Sequence, residues 1–185
     1  LYKDTLMEAV AETSEEFMER YFGGETFTEN EIRAALRTNV IDGSIVPISM
    51  GSNTLCQGTY TLLDDIVKYL PSPENKELAG INMKTNEIFQ ANYDFSKAKS
   101  AYVFKTIVDP FIGKYSLIKV CSGVFKPDDM IYNKDKDIEE KVSKLYVLQG
   151  SKPIEVPELH AGDIGAIAKL TAARTGNTLS TKANI

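Results

Sequence analysis

Residues 99–133 read KSAYVFKTIVDPFIGKYSLIKVCSGVFKPDDMIYN, and the rest of the fold is best worked out from this stretch. It contains three runs rich in β-branched and aromatic residues, 101–108, 115–121 and 130–132, separated by Gly, Pro and Asp at close spacing. Short apolar runs interrupted by turn residues are typical of consecutive antiparallel strands. The pattern predicts a small β-barrel or sandwich.

The strand pattern continues to the end of the chain. Apolar runs at residues 142–148, 164–170 and 177–179 have the same character and similar length. No internal repeat or low-complexity segment interrupts them. We therefore expect one antiparallel barrel over residues 97–185.

The first part of the chain has helical periodicity instead. Apolar residues recur at helical spacing over residues 6–21 and predict one helix that ends at Gly23, because glycine commonly follows a helix. Thr28 and Glu31 form a capping-box pattern, which predicts a second helix that runs to Leu36.

An incomplete α/β unit is predicted next. Residues 44–50 form a compact apolar run typical of a buried strand, although Pro47 favours an edge position. A turn at residues 51–53 leads to a helix predicted over residues 60–70. No second parallel strand follows, so we expect the strand to pair with a hairpin predicted over residues 81–90, to meet a neighbouring molecule, or to stay exposed.

The sequence thus predicts an α+β protein with three parts. Residues 1–72 form a helical α/β part, residues 73–96 a linker with a possible hairpin, and residues 97–185 the barrel. The first residue is Leu1, inside a predicted helix, and residues 181–185 stop without a capping or tail sequence. From this we expect the chain to be a piece of a longer protein.

Composition excludes several protein classes. With 185 residues, 43% hydrophobic and 25% charged, the chain has an ordinary globular composition. It has no apolar run of about 18 residues that would predict a membrane span, and no signal peptide is visible. Cys56 and Cys121 match no metal-binding spacing, so we predict free, buried thiols in a reducing cytoplasm.

The charge distribution leaves two interpretations open. A net charge of −5 argues against bulk electrostatic binding of nucleic acid. Between residues 97 and 126, however, there are six lysines and a single acidic residue, Asp109. These lysines are either solvated side chains on the outer faces of strands or a local surface that contacts phosphates.

Four short motifs in the β-rich part resemble the second domain of elongation factor G. In order, they are Phe104-Lys105 with DPFIGK at 109–114, SGVFK at 122–126, AGDI at 161–164 and RTGNTL at 174–179. Their order and spacing together are fairly specific to translational GTPases, whereas any one alone would be weak. Residues 17–37, and IVPI at 45–48 with its following turn, are similar to the late part of that family's GTP-binding domain.

The resemblance implies roles for both parts of the chain. Residues 1–72 would be the C-terminal remnant of the GTP-binding domain, followed by the translation-factor-type barrel. Gly51, Ser52 and Asn53 would form the loop that offers backbone N–H groups to guanine in the intact parent. GTP with magnesium would be the cofactor of that parent, and this chain alone would have none.

No catalytic residue is predicted for the chain itself. The Gly113-Lys114 pair lacks the other residues of a phosphate loop, and the acid of Asn133–Asp137 falls one place too late for a guanine-reading motif. His160 is the only histidine, and we expect it to be structural or exposed. No nucleophile, base and orienting residue can be proposed together. We therefore expect no GTP hydrolysis by this chain and no metal site in it.

The function implied by the resemblance is docking. The barrel would bind the rRNA and protein of the small ribosomal subunit during translocation in the cytoplasm. It would have no DNA or membrane partner. It would also relay the nucleotide state of the parent to the domains beyond it. Lys105, Lys114 and Lys126 are the predicted phosphate contacts.

Two alternatives stay open. The first is a divergent paralogue, such as a ribosome-protection or recycling factor. It stays open because Asn53 stands where that family has a small alanine, and Asp128 where it has glycine. The other is a stand-alone barrel that binds a protein or an oligosaccharide without any link to GTP, because small barrels host many unrelated functions.

Overall fold

A computed structural model of the chain describes residues 2–82, 84–110 and 113–181. The chain divides into two compact units, Leu1–Asn75 and Lys76–Ile185. The first is helical and the second is made of antiparallel strands, so the protein is α+β as predicted. None of the helices found in these residues is long and apolar enough to cross a membrane.

The first unit contains the helices α1 (Tyr2–Ala11), α2 (Glu15–Phe22), α3 (Glu29–Asp42) and α4 (Thr59–Tyr69). The prediction of one helix over residues 6–21 is wrong, because the backbone is extended at Ser14. The Ser14 hydroxyl caps α2 by accepting a hydrogen bond from the Phe17 N–H at 3.2 Å. Glu15 and Glu16 occupy the first turn of α2, where the helix dipole favours carboxylates.

Helix α3 begins with the predicted capping box. The Thr28 hydroxyl accepts a hydrogen bond from the Glu31 N–H at 3.3 Å, and the Glu31 carboxylate accepts one from the Thr28 N–H at 2.7 Å. Arg20 donates to the same carboxylate at 2.7 Å, and these contacts lower the pKa of Glu31 to about 2, with Arg20 as the largest cause. The helix continues beyond its predicted end to Gly43, whose φ of 88° provides a left-handed C-cap.

The buried strand predicted at residues 44–50 is not present. The segment belongs to no sheet in the described part of the chain, and Val46, Ile48 and Met50 are 77%, 87% and 92% exposed. Helix α4 also carries exposed apolar side chains. A strand needs a neighbour for its backbone groups, so an apolar run alone did not make one here.

The second unit begins with a small hairpin. Strand β1 (Ala79–Ile81) pairs antiparallel with β2 (Ile88–Gln90). The connection contains Asn86, whose φ of 57° lies in the left-handed region that asparagine tolerates in turns. Strand β1 ends at Ile81, the residue at which the predicted hairpin over residues 81–90 begins, and Met83 in the connection lies outside the described residues.

The main sheet follows the hairpin. The strands are β3 (Ser100–Asp109), β4 (Gly113–Ser122), β5 (Val124–Phe125), β6 (Met130–Asn133), β7 (Ile138–Lys141), β8 (Leu145–Gln149), β9 (Lys152–Val156), β10 (Leu159–His160), β11 (Ile164–Ala168) and β12 (Thr178–Ser180). Eight of them form one antiparallel sheet in the order β7-β6-β12-β3-β4-β11-β8-β9, while β5 pairs with β10. Phe111 and Ile112, in the β3–β4 turn motif, lie outside the described residues.

The large sheet bends around one core. Ile131 on β6 and Leu145 on β8 belong to the same buried cluster, although their strands stand five places apart in the sheet. In a flat sheet such strands would be roughly 24 Å apart, because neighbouring strands are about 4.8 Å apart. Phe125 of β5 and Leu159 of β10 join the same cluster. The unit is therefore barrel-like, as predicted.

Four strands were not predicted, namely the short pair β5 and β10 and the two edge strands β7 and β9. Strand β9 contains Pro153, which lacks an N–H, and its place at the edge of the sheet explains why proline is tolerated there. Strand β7 lies at the other edge and carries Glu139, Glu140 and Lys141. Charged residues are common on edge strands because they discourage pairing with other molecules. Neither strand has the apolar run that sequence analysis relies on.

Candidate nucleic-acid interface

The predicted guanine-base loop is a tight turn that closes between Met50 and Gly58. Ser52 and Gln57 exchange both backbone hydrogen bonds, at 2.9 and 3.0 Å. A Cβ on Gly51 would lie 2.8 Å from the Gln57 carbonyl oxygen, and one on Gly58 would lie 2.9 Å from the Met50 carbonyl oxygen. Gly58 also has a φ of 81°. Both positions therefore require glycine.

A cleft of about 250 Å³ lies beside this loop. Gly51, Asn53, Gly58 and Thr59 are among the residues that line it. Gly58 provides no side-chain cap for α4, so the amides of the first helical turn lack a capping acceptor. The Ser52 hydroxyl instead accepts a hydrogen bond from Leu55 within the loop, at 3.3 Å. Two of the three predicted residues thus line the cleft, and the third stabilises the turn.

Lys105 and Lys114 lie on the same β3–β4 hairpin but on opposite faces of it. Lys105 is opposite Leu117, and Val108 is opposite Lys114. Residues paired across a ladder share a face, and side chains alternate along each strand. Lys105 therefore shares the face of Leu117, and Lys114 does not.

The face that carries Lys105 also has its own buried cluster. Tyr115 and Tyr146 pack edge to face with ring centroids 5.4 Å apart, and Ala166 and Ala168 are buried with them. Tyr115 is 2% exposed, and burial raises its pKa. This cluster lies on the side of β4 opposite to the main core, because Tyr115 and the core residue Ile118 have opposite parity along the strand. The exposed Lys105 thus extends from a well-packed part of the sheet.

Lys114 is half-buried and bound to its own chain. Its ammonium group donates to the Ala173 carbonyl oxygen and lies 3.5 Å from that of Thr171. The Nη1 of Arg174 donates to the same two oxygens, at 3.1 and 2.9 Å. Burial, followed by the nearby Arg174 charge, lowers the pKa of Lys114. The two cations therefore hold the carbonyl side of residues 171–174, hereafter the 171–174 loop.

Glu140 holds the amide side of the same loop. Its carboxylate accepts hydrogen bonds from the N–H groups of Thr171, Ala172 and Ala173 at 2.5, 3.0 and 3.1 Å. It also accepts one from the Thr171 hydroxyl at 2.8 Å. Burial alone would raise the pKa of Glu140, but these donors outweigh it and lower that pKa. The loop is fixed from both sides.

Lys126 lies elsewhere, next to the β5–β10 pair. Its ammonium group is 3.1 Å from one carboxylate oxygen of Glu158, and the Nε2 of His160 is 2.9 Å from the other. The hydrogen bond with His160 is the largest cause, and the contact with Lys126 the next, of the lowered pKa of Glu158. His160 acts here as a structural partner, in keeping with its expected role. The three predicted lysines occupy three different settings and do not share one face.

Two residues of this region were missed as functional candidates. Arg174 is part of the RTGNTL motif but was not predicted to bind phosphate, and Glu140 has no local pattern that marks it. The partners of Glu140 are 31 or more residues away, so only the folded sheet brings them together. The described residues contain no cluster of three metal-ligating side chains.

The expectation of two buried thiols is half wrong. Cys56 is exposed, because it lies in the tight turn between Met50 and Gly58, where its own φ is 53°. Cys121 is partly buried on β4, and burial raises the pKa of its thiol. Both cysteines are free.

Comparison with known proteins agrees with this architecture. The family model described as elongation factor G domain 2 matches residues 98–182, a range that holds strands β3 to β12. A crystal structure of a protein from Thermus thermophilus is similar over 97% of this chain, with a TM-score of 0.71 and 27% sequence identity. This chain corresponds to 24% of the length of that chain. The barrel-like unit therefore belongs to the elongation factor G family, as its domain 2.

Proposed function

We propose that this chain is the docking part of an elongation factor G-like translational GTPase that acts in ribosomal translocation in the cytoplasm. The barrel-like unit docks against rRNA and protein of the small ribosomal subunit and relays the nucleotide state to the rest of the parent. The observation that carries this proposal is the match of residues 98–182 to elongation factor G domain 2. The structural similarity over both units supports extending it to the helical part.

The helical unit supplies the guanine-base loop of the intact parent in this proposal. Gly51 and Asn53 line the cleft beside α4, and Ser52 closes the turn. The loop presents backbone N–H groups to the guanine carbonyl, while GTP phosphates and magnesium are held by parts of the parent outside this chain. The substitution Gly51→Ala in the intact parent tests this role. It should weaken GTP binding there, and unchanged affinity would refute the role.

Co-sedimentation with purified bacterial ribosomal subunits tests the docking function. The 185-residue chain should pellet with small subunits more than with large ones, and less so as salt rises, because phosphate contacts release counterions. Charge reversal at Lys105, Lys114 and Lys126 together should weaken the binding and flatten its salt dependence. Lys105→Glu is the cleaner single change, since Lys105 is exposed whereas Lys114 is bound internally. Lys152→Glu on the edge strand β9 is the control with the same change in net charge.

The chain alone is proposed to be non-catalytic. Incubated with GTP and magnesium, it should show no turnover above the buffer rate. Magnesium-dependent hydrolysis by the pure chain would overturn this assignment. Equal pelleting with both subunits, or binding indifferent to salt, would instead favour a barrel that serves another partner. The gene segment preceding codon 1 adds an independent check, because a GTPase parent must encode a phosphate loop there.

A further inference from the structure

Cationic side chains lie at the 171–174 loop, at one end of the barrel-like unit. Nearby carboxylates do not neutralise all of their positive charge. We propose that Lys114, Arg174 and Thr175 form a binding site for the phosphate groups of an RNA backbone. This inference rests on the proposed ribosomal function and assigns that function to a particular surface. It also replaces the three separate lysines, Lys105, Lys114 and Lys126, with a single site as the predicted phosphate contact.

The site contains two cations that no carboxylate pairs with in the described residues. Lys114 and Arg174 share the carbonyl oxygens of Thr171 and Ala173, so two cations lie close together. The hydrogen bonds that Glu140 accepts come from the loop's amides and a hydroxyl. An incoming anion would relieve the mutual repulsion of the two cations, which adds to burial in lowering the pKa of Lys114 although the charge of Glu140 opposes both.

Exposed donor groups of Thr175 lie beside one of these cations, Arg174, in the chain. Thr175 is exposed, and no acceptor in the described residues takes its backbone N–H. Its hydroxyl donates a hydrogen bond of 3.3 Å to that of Thr106 on β3. Gly176 follows with a φ of 95° and open space where a Cβ would be, so the chain here can approach a ligand closely.

The site is held in place before any ligand binds. Glu140 binds three successive amides of the 171–174 loop. On the other side of Thr175, the Gly176 N–H donates to the Val103 carbonyl at 2.8 Å, and Asn177 accepts a hydrogen bond from the Arg174 N–H at 2.9 Å. A fixed donor set loses little entropy on binding. Glu140 is thus a positioning residue for the site.

The chemistry of the site favours phosphate. Its groups are the exposed guanidinium of Arg174, the half-buried ammonium of Lys114, a backbone N–H and a hydroxyl, all of which can donate a hydrogen bond. The phosphates of an RNA backbone are acceptor-only anions that receive contacts from just these groups. Arg is well suited to bind phosphate through two parallel N–H groups. An acidic protein surface is the competing partner, and the test must separate the two.

Backbone amide NMR shifts of the full 185-residue chain provide the test, with a short RNA duplex as probe. We expect the largest shifts at Thr175 and Gly176. Arg174→Glu should weaken the binding about tenfold and reduce the salt slope by about one, the expected effect of losing one phosphate contact. Lys152→Glu should change neither. Shifts centred elsewhere, or an unaltered affinity in Arg174→Glu, would overturn the site.

Three further arms complete the test. A poly-glutamate peptide that produces the same shifts at the same concentration would overturn the assignment to RNA. Glu140→Gln should leave the chain folded and weaken RNA binding because it loosens the loop. The loosening should appear as faster hydrogen exchange of the amides of residues 171–173. Unweakened RNA binding despite faster exchange would refute the positioning role. If RNA binds at Thr175 while small subunits do not bind the chain, the proposed ribosomal function fails and the phosphate site remains.

Discussion

Glu140 and Thr171 are 31 residues apart in sequence and are joined by two hydrogen bonds, from the Thr171 N–H at 2.5 Å and from its hydroxyl at 2.8 Å. The first residue lies on the edge strand β7 and the second in the connection between β11 and β12. This contact ties an edge of the sheet to the connection between two inner strands. It therefore links the stability of the barrel-like unit to the surface proposed to bind RNA.

Replacing Glu140 with alanine should destabilise the second unit. The change leaves three amides without their acceptor, and we expect a loss of about 2 kcal/mol in the free energy of unfolding at pH 7, after discounting for the partial exposure of the carboxylate. Because the folded-state pKa of Glu140 is lowered from the ordinary 4.5, its stabilisation is present above pH 4.5 and is lost as the pH falls through the folded-state value. Urea unfolding of both proteins at a series of pH values measures this difference.

The matched control for that experiment is Glu155→Ala. Glu155 forms an exposed ion pair with Lys144 at 2.8 Å, and exposed pairs contribute at most about 1 kcal/mol. A loss at Glu140 no larger than at Glu155, or one that persists unchanged at pH 3, would contradict the role given to the amide contacts.

Glycine at position 58 should matter more than glycine at position 43. Both have left-handed φ values, 81° and 88°, but only at Gly58 would a Cβ meet backbone atoms, with the Met50 oxygen at 2.9 Å and the Gly51 Cα at 3.1 Å. Alanine at either site costs about 1–2 kcal/mol for the backbone conformation. Gly58→Ala should add about 1 kcal/mol or more for the contact.

Hydrogen exchange of the paired Ser52 and Gln57 amides reports on this loop directly. We expect Gly58→Ala to abolish their protection and Gly43→Ala to preserve it. Equal protection in the two variants would show that the close approach of the two ends does not hold the turn.

The two cysteines should react at very different rates with iodoacetamide. Cys56 is exposed, whereas the pKa of the Cys121 thiol is raised by burial, so its reactive thiolate is scarcer and less accessible. Mass spectrometry of digests taken over time should show Cys56 labelled at least about tenfold faster at pH 8. In urea the two rates should converge; similar rates in the folded protein would mean that β4 opens readily around Cys121.

Local signals predicted those parts of the fold that local chemistry determines. The capping box at Thr28 was visible because its two side chains satisfy each other's backbone within one turn. Strands β3 and β4 were visible because each is a run rich in β-branched and aromatic residues next to turn residues. The break at Ser14 could also have been found, since serine followed by two glutamates is a helix-start pattern.

Other features depend on distant parts of the chain and left no such pattern. An apolar run at residues 44–50 predicted a strand, but a strand also needs a partner, and none pairs with it in the described residues. The sequence grouped Lys105 and Lys114 by proximity, while the register of the β3–β4 ladder separates them onto two faces. Glu140, Lys114 and Arg174 come together only through the curvature of the whole sheet.

Directed hydroxyl-radical probing of rRNA is the measurement that tests the docking account most directly. An iron chelate would be attached to a Thr175→Cys variant in which Cys56 and Cys121 are replaced, and a Lys152→Cys variant would be the matched control. The account predicts cleavage confined to a small region of small-subunit rRNA from position 175, and weaker cleavage from position 152. Cleavage no greater than that produced by free chelate, or stronger from position 152, would contradict it.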